Sequence, residues 1–279
     1  MSDKVLIVGG DRRVEAAETV FREEGFAVTR VCGAEKDLEK LLSDASVLLL
    51  PVPFSSDGVT VFQPTAQKPI PLSCVYNCFQ PGKTVFCGKA DQEIQRKAEE
   101  KGAALIDYME DESLSVKNAV PTAEGAVSLA LELLPVTLNG ASVLILGYGR
   151  IGKLLSSYTS GIGADVTVMA RKESDRAFAR AYGKRAVTFD ALGDEIGKAD
   201  VVFNTVPAPV LGADVLRKAG KKTLFIDLAS KPGGIDRKAA EELGLKAIWA
   251  LSLPGKFAPV SAGKYIAETV IRLMNEKGK

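Results

Sequence analysis

The sequence predicts an α/β protein of two lobes, each built on a parallel sheet, and three observations carry that expectation. Short apolar runs alternate with amphipathic segments through the first part of the chain. The same alternation starts afresh at "ASVLILGYG". The run that restarts it ends in a glycine turn and opens into another amphipathic segment. Strand–helix repetition of this kind builds parallel sheets with right-handed crossovers. A run apolar throughout, such as "SVLLLPVP", suits a strand covered on both faces.

In chain order, "KVLIVGG" reads as a strand and "RVEAAETVFREEG" as a helix closed by Gly25. "FAVTRV" is the next strand, "AEKDLEKLLSDA" the next helix and "SVLLLPVP" the third strand. A turn-rich stretch, "FSSDGVTVFQPTAQKPIPLS", leads to strand "KTVFCG", helix "DQEIQRKAEEKG" and strand "AALIDY". A long helix is expected to begin near Pro121 and run to Pro135, with Thr122 as its N-cap and Glu124 in its first turn. The second lobe then reads "ASVLILGYG", "RIGKLLSSYTSGIG", "DVTVMAR", "ESDRAFARAYG", a helix near Leu192, "DVVFNTVP", "GADVLRKAG", "TLFIDLAS", "DRKAAEELG" and "KAIWAL". That pattern fits an open sheet of about six strands. "LPGKFAPVSAGKY" reads as a Gly/Pro-rich loop in which Ser261 caps the last, amphipathic helix. The expected domains are therefore 1–120, a linking helix over 121–135, a nucleotide-binding domain over 136–255, and a C-terminal segment, 256–279, packing back on the first lobe.

Composition narrows the chemistry. With 279 residues, 46% hydrophobic and 25% charged, the chain has the make-up of a soluble globular protein. A formal net charge of +1 gives no global field to recruit nucleic acid or an anionic membrane. "MSDKVLIVGG" enters a strand with no signal-peptide core, and no run approaches the roughly 18 apolar residues of a membrane span. These features predict a cytoplasmic protein. There is no histidine. A Ser-His-Asp triad, a Cys-His pair and a His-ligated metal are excluded, which leaves proton transfer to Lys, Asp, Glu, Tyr, Cys, Ser or water. The cysteines Cys32, Cys74, Cys78 and Cys87 form no CxxC pair and read as free thiols rather than a metal site.

The glycine turn is Gly147-Tyr148-Gly149-Arg150-Ile151-Gly152. Its glycines suit a tight turn, close approach of a pyrophosphate and close helix–strand packing, and the helix N-terminus at Arg150 and Ile151 supplies amides to phosphates. An NAD site usually has an acid at the end of the next strand, about twenty residues on. Here Arg171 and Lys172 stand there, which favours the 2′-phosphate of NADP. Glu173 follows at once and keeps NAD use open. The loop "NTVPAP" offers Thr205, Val206 and Pro207 to the cofactor, and "DLASKPGGID" offers Ser230. In the first lobe, Arg12 or Arg13 in "GGDRR", and Lys117, are candidate anion binders. Ser55, Ser56 and Thr122 are candidate hydrogen-bonding groups for a substrate, and Glu124, Asp57 and Lys256 are candidate catalytic groups. Each has an ordinary structural alternative as a surface charge, a turn residue or a helix cap.

The motifs "VGGDRR", "LLLPVPFSSDGVTV", "KNAVPTAEGA", "VLILGYGRIGKLL", "NTVPAPVL", "DLASKPGGID" and "LPGKFAPVSAG" together resemble the dipicolinate synthase A-subunit family, in order and over nearly the whole chain. The resemblance implies two Rossmann-like lobes and an NADP-dependent oxidoreductase. Such an enzyme converts 4-hydroxy-tetrahydrodipicolinate, a small dicarboxylate heterocycle of the lysine/diaminopimelate branch, to dipicolinate. It implies the mother cell of a sporulating bacterium and, for a partner, the dipicolinate synthase B-subunit; a homodimer is compatible with it. The second lobe resembles the nucleotide domain of 2-hydroxyacid dehydrogenases, whose catalytic histidine has no counterpart here. Two other readings stay open on the residues alone. One is an NADP dehydrogenase of the shikimate or methylene-tetrahydrofolate type, and the other is a non-catalytic NADP-binding scaffold.

Overall fold

A computed structural model describes residues 4–34 and 37–277. The chain divides into two compact units, Met1–Asn118 with Ala258–Lys279, and Ala119–Phe257.

The first unit alternates β1 (Lys4–Val8), α1 (Arg12–Glu23), β2 (Ala27–Val31), α2 (Leu38–Asp44), β3 (Val47–Leu49), α3 (Leu72–Asn77), β4 (Thr84–Cys87), α4 (Gln92–Lys101) and β5 (Ala104–Asp107). All strand pairs are parallel, in the order β2-β1-β3-β4-β5. This is a doubly wound sheet. Successive residues of β1 feed opposite cores. Val5 and Ile7 join Phe21, Phe86 and Tyr108, while Leu6 and Val8 join Leu48, Val85 and Ile94. That two-sided burial is why "VLIV" is apolar without a break.

Three details of this unit depart from the sequence reading. β3 is short: the Leu50 amide still donates to the Phe86 carbonyl (2.8 Å), but Pro51 has no N–H and only accepts, from the Gly88 amide (3.3 Å). α3 begins within the last two residues of the stretch read as turns and buries Leu72, Val75 and Tyr76. The helix read from Ala34 is α2, beginning at Leu38; Glu35 and Lys36 lie outside the described residues.

Helix α5 (Glu112–Leu133) starts more than two turns before the expected Pro121. Asp111 begins it: its carboxylate accepts from the Leu114 amide (2.8 Å) and pairs with Arg272, and its carbonyl accepts from the Ser115 amide (3.0 Å). Pro121 then sits inside the helix, where it forfeits one i→i−4 bond. Thr122 is thus mid-helix rather than an N-cap, and Glu124 lies far from the first turn. The boundary between the units falls within this helix.

The second unit comprises β6 (Ser142–Leu146), α6 (Arg150–Gly161), β7 (Asp165–Met169), α7 (Glu173–Ala181), β8 (Arg185–Val187), α8 (Leu192–Glu195), β9 (Val201–Asn204), α9 (Ala213–Leu216), β10 (Leu224–Asp227), α10 (Arg237–Glu242), β11 (Lys246–Trp249) and α11 (Leu253–Phe257). Its parallel sheet runs β11-β10-β9-β6-β7-β8, the strand order of a dinucleotide-binding domain. The sixth strand is β8, three residues at the sheet edge with little apolar pattern to announce it. Glu195 is buried beneath it and accepts from Arg185 Nη2 (2.9 Å) and Lys198 Nζ (3.0 Å).

Helix α12 (Pro259–Lys277) belongs to the first unit and lies along α1. It begins at Pro259, whose missing N–H costs nothing at a first helical position, so Ser261 is inside the first turn and is not the cap. The stretch before it is helix α11 rather than open loop. Gly263 lets α12 approach α1: a Cβ there would run into the Arg13 carbonyl.

Two consequences can be measured. Gly263→Val should lower the unfolding free energy by about 3 kcal/mol or more, because neither helix backbone can retreat cheaply; urea denaturation reads this. The hydrogen bonds from Arg185 and Lys198 hold the Glu195 carboxyl at about 2, below its usual 4.5. Its stabilisation is therefore present above about pH 4.5 and lost as pH falls toward 2. Glu195→Gln should flatten this acid limb of the stability profile and leave its neutral-to-alkaline shape unchanged.

Candidate functional site

The glycine turn sits at the carboxyl end of β6, the central strand of its sheet. The Gly147 amide donates to the Met169 carbonyl (2.8 Å), tying the turn to β7. The Thr205 amide and hydroxyl both donate to the Leu146 carbonyl, each at 2.9 Å, tying it to β9. Gly147 has φ +94°, and a Cβ there would strike the Thr205 hydroxyl. A Cβ on Gly152 would enter the Gly147 carbonyl, so this glycine sets how closely α6 meets β6.

Gly149 differs from both. Its φ of −79° is open to any residue, and nothing lies within 4 Å of where its Cβ would stand. Neither backbone conformation nor packing requires glycine there, and the open space suits close approach of a ligand. Helix α6 starts at this point with no side chain capping it, and its first amide bond is Lys153 to the Gly149 carbonyl (3.0 Å). An open cradle and amides at a helix N-terminus fit a pyrophosphate. Tyr148 is buried in the core, so only its backbone can serve a ligand, while Arg150 is exposed and Ile151 half-buried.

After β7 the chain turns through Ala170, and Arg171 and Lys172 are exposed. Neither makes an ion pair among the described residues. Glu173, the first residue of α7, is held by Arg176 (2.5 Å) and Arg180, which lower its pKa.

At the ends of β9 and β10 the structure reveals a pair that the sequence reading passed over. Asn204 and Asp227 are both buried. Asp227 accepts from Asn204 Nδ2 (2.8 Å), the Ala229 amide (3.1 Å) and the Gly234 amide (2.8 Å). Asn204 also exchanges bonds with the Val206 amide and carbonyl, both at 3.1 Å. The pair fixes the loops that carry Thr205, Val206, Pro207 and Ser230, of which Pro207 and Ser230 are exposed. A polar residue closing each of two apolar strands was the available signal. Gly234 serves the same network, since a Cβ there would collide with Asn204.

The substrate candidates fall in both units. In the first, Arg12 is exposed at the start of α1, while its neighbour Arg13 is buried against Asp11 and the Val52 carbonyl. Asp57 accepts from the Val59 and Thr60 amides (2.8 Å each) and from the Thr60 and Ser55 hydroxyls (2.7 and 3.0 Å). These bonds, the backbone ones foremost, drive its pKa far below the carboxylate range. Asp57 is therefore the centre of its own turn and a poor base, contrary to expectation. Ser55 is committed to that turn and Ser56 is exposed. Lys117 pairs with Glu268 (2.8 Å) and lies 5.7 Å from the Tyr265 ring centroid.

In the second unit, Thr122 is half-buried on α5 and Glu124 exposed beside it. Gly125 allows the Phe257 ring of α11 to lie against α5, which joins the stretch bearing Glu124 to that bearing exposed Lys256. Among the described residues, no group of three or more Cys, Asp or Glu side chains is placed to hold a metal, and no helix is long and apolar enough to cross a membrane.

Comparison with known proteins places this geometry. Residues 4–109 match the N-terminal domain of the dipicolinate synthase A-subunit, and residues 115–239 match the NAD-binding domain of D-isomer specific 2-hydroxyacid dehydrogenases. The dipicolinate synthase A-subunit of Bacillus subtilis is 32% identical over 223 residues, covering 80% of this chain and 72% of that protein. The crystal structure of the Bacillus halodurans A-subunit superposes with a TM-score of 0.88 at 28% identity, covering 97% of each chain. That of the Bacillus subtilis protein gives 0.86 at 27%, covering 99% of this chain and 97% of that one.

The turn yields a paired test. Gly149→Ala should leave the melting temperature within a degree or two yet weaken dinucleotide binding roughly tenfold or more, because the methyl occupies ligand space. Gly152→Ala should destabilise the fold itself by about 2 kcal/mol or more. Thermal melts beside calorimetric titration separate the two.

Proposed function

The chain belongs to the dipicolinate synthase A-subunit family, and on that premise we propose that it oxidises 4-hydroxy-tetrahydrodipicolinate to dipicolinate with NADP. The open cradle at Gly149, at the head of a matched NAD-binding domain, carries the redox part of this reading. The substrate loses water, then a hydride and a proton, to become the aromatic pyridine. NADP, when bound, takes the hydride.

Residues 147–152 would hold the pyrophosphate by backbone amides. Arg171 and Lys172 would meet the 2′-phosphate, and unpaired cations beside an acid already engaged by arginines support NADP over NAD. Thr205, Val206, Pro207 and Ser230 would flank the nicotinamide, on loops that the Asn204–Asp227 pair keeps rigid. Aromatisation favours the redox step, so the chain's main task is alignment of the ring and capture of two carboxylates. Arg12 and Lys256, exposed cations outside any ion pair among the described residues, suit the carboxylates better than Lys117, which Glu268 already neutralises. Thr122 and Ser56 offer hydrogen bonds. Glu124 is the acid we assign to removing the ring proton, since Asp57 is spent on its turn. We further propose a partner B-subunit and a role in sporulation, both from family membership.

The test follows the nicotinamide absorbance with freshly generated substrate and NADP or NAD, with and without the B-subunit. NADP reduction with dipicolinate appearing is expected, and Glu124→Gln should cut turnover about a hundredfold with NADP affinity unchanged. Measured NADP binding without reduction, whether or not the partner is present, would sink the proposal.

A further inference from the structure

Arg176 occupies an unusual place for a residue outside the glycine turn and the strand ends. It lies one turn into α7, and its side chain is only 13% exposed. Its guanidinium makes four hydrogen bonds. Nη1 donates to the carbonyls of Ala170 and Arg171, both at 2.7 Å. Nε and Nη2 donate to Glu173 Oε2, at 3.0 and 2.5 Å. The Arg176 amide donates to the Lys172 carbonyl at 3.2 Å. One residue thus gathers three consecutive carbonyls and the following carboxylate. Arg180 takes the other Glu173 oxygen.

Two effects converge. The main chain through Arg171 and Lys172 cannot rotate without breaking charge-assisted bonds, so two unpaired cations are held on a fixed path beyond β7. Glu173, which could otherwise accept the ribose hydroxyls of NAD, has both oxygens engaged. Its lowered pKa agrees with that engagement.

Resting on the NADP reading above, we propose that Arg176 is a positioning residue for cofactor choice. It fixes the Arg171–Lys172 turn for a 2′-phosphate and, with Arg180, withholds Glu173 from the ribose. Arg176 need not touch the cofactor to do this.

Calorimetric titration of the full chain with NADP, NAD, 2′,5′-ADP and 5′-AMP tests it. The last two differ only by the 2′-phosphate. Wild type should bind NADP and 2′,5′-ADP roughly tenfold or more tightly than their partners. Arg176→Met should collapse both ratios toward one, with 5′-AMP affinity held within about twofold. Arg176→Lys should restore part of the ratio, because an ammonium can reach some but not all of the three acceptors. Arg180→Ala, an exposed change that leaves the fold intact, should narrow the NADP-to-NAD ratio by raising NAD affinity, and it carries the test if Arg176→Met does not fold. Equal losses for all four ligands in Arg176→Met, or unchanged ratios in Arg176→Lys and Arg180→Ala, would overturn the assignment and leave Arg176 a stabilising residue only. A wild type with no preference for the 2′-phosphate would overturn the NADP reading itself, and this inference with it.

Discussion

The close approach of α6 to β6, permitted by Gly152 against the Gly147 carbonyl, is the constraint around which the second unit is arranged. A helix that could not come this near would splay from the sheet, and its N-terminal amides would no longer face the space above the strand end. Beside this contact Gly147 has positive φ, where only glycine is at ease, and Thr205 donates to the Leu146 carbonyl. Three strands, β6, β7 and β9, are thereby tied at their carboxyl ends by bonds of the turn. Among the turn's glycines, Gly149 alone is free of these demands, with open space where a Cβ would stand.

A second layer of order comes from polar groups buried at the strand ends. Asp227 loses water on folding and recovers it as three hydrogen bonds from one side chain and two amides. Burying a carboxylate in this way is costly unless every bond forms, so departure of the β9 and β10 loops from this arrangement is penalised. Arg176 fixes the β7 loop in a comparable way, from the opposite charge. In the first unit Asp57 is the analogue, gathering its own loop with four donors. Loops that bear ligand groups need such fixing, because a floppy loop loses the benefit of orientation.

The elements that were legible from the chain alone are those whose signal is local. β1 and β6 are strong apolar runs, β7 alternates polar and apolar residues, and the glycine spacing belongs to one turn. β8 and α3 were not legible, since three weakly apolar residues and a six-residue helix become stable only through neighbours far away in sequence. Pro121 misled because proline usually opens a helix. Here Asp111, held by Arg272 from α12, starts α5 earlier and outweighs one lost bond. Asp57 looked like a base because its sequence neighbourhood is polar, and the same polar neighbours turned out to saturate it.

The sequence by itself determined the two-lobed α/β plan, the dinucleotide turn and the family, because alternation of apolar runs, glycine spacing and ordered motifs are properties of the linear chain. It also removed histidine chemistry outright. Only the tertiary structure decided which of the turn's glycines are packed against neighbouring atoms and which stands open. It likewise showed that Asn204 and Asp227 share a buried network, and that the Arg176 side chain reaches back to two carbonyls. The reason is physical: which hydrogen bonds a polar side chain makes depends on the backbone groups brought within about 3 Å of it, and no pattern along the chain specifies that.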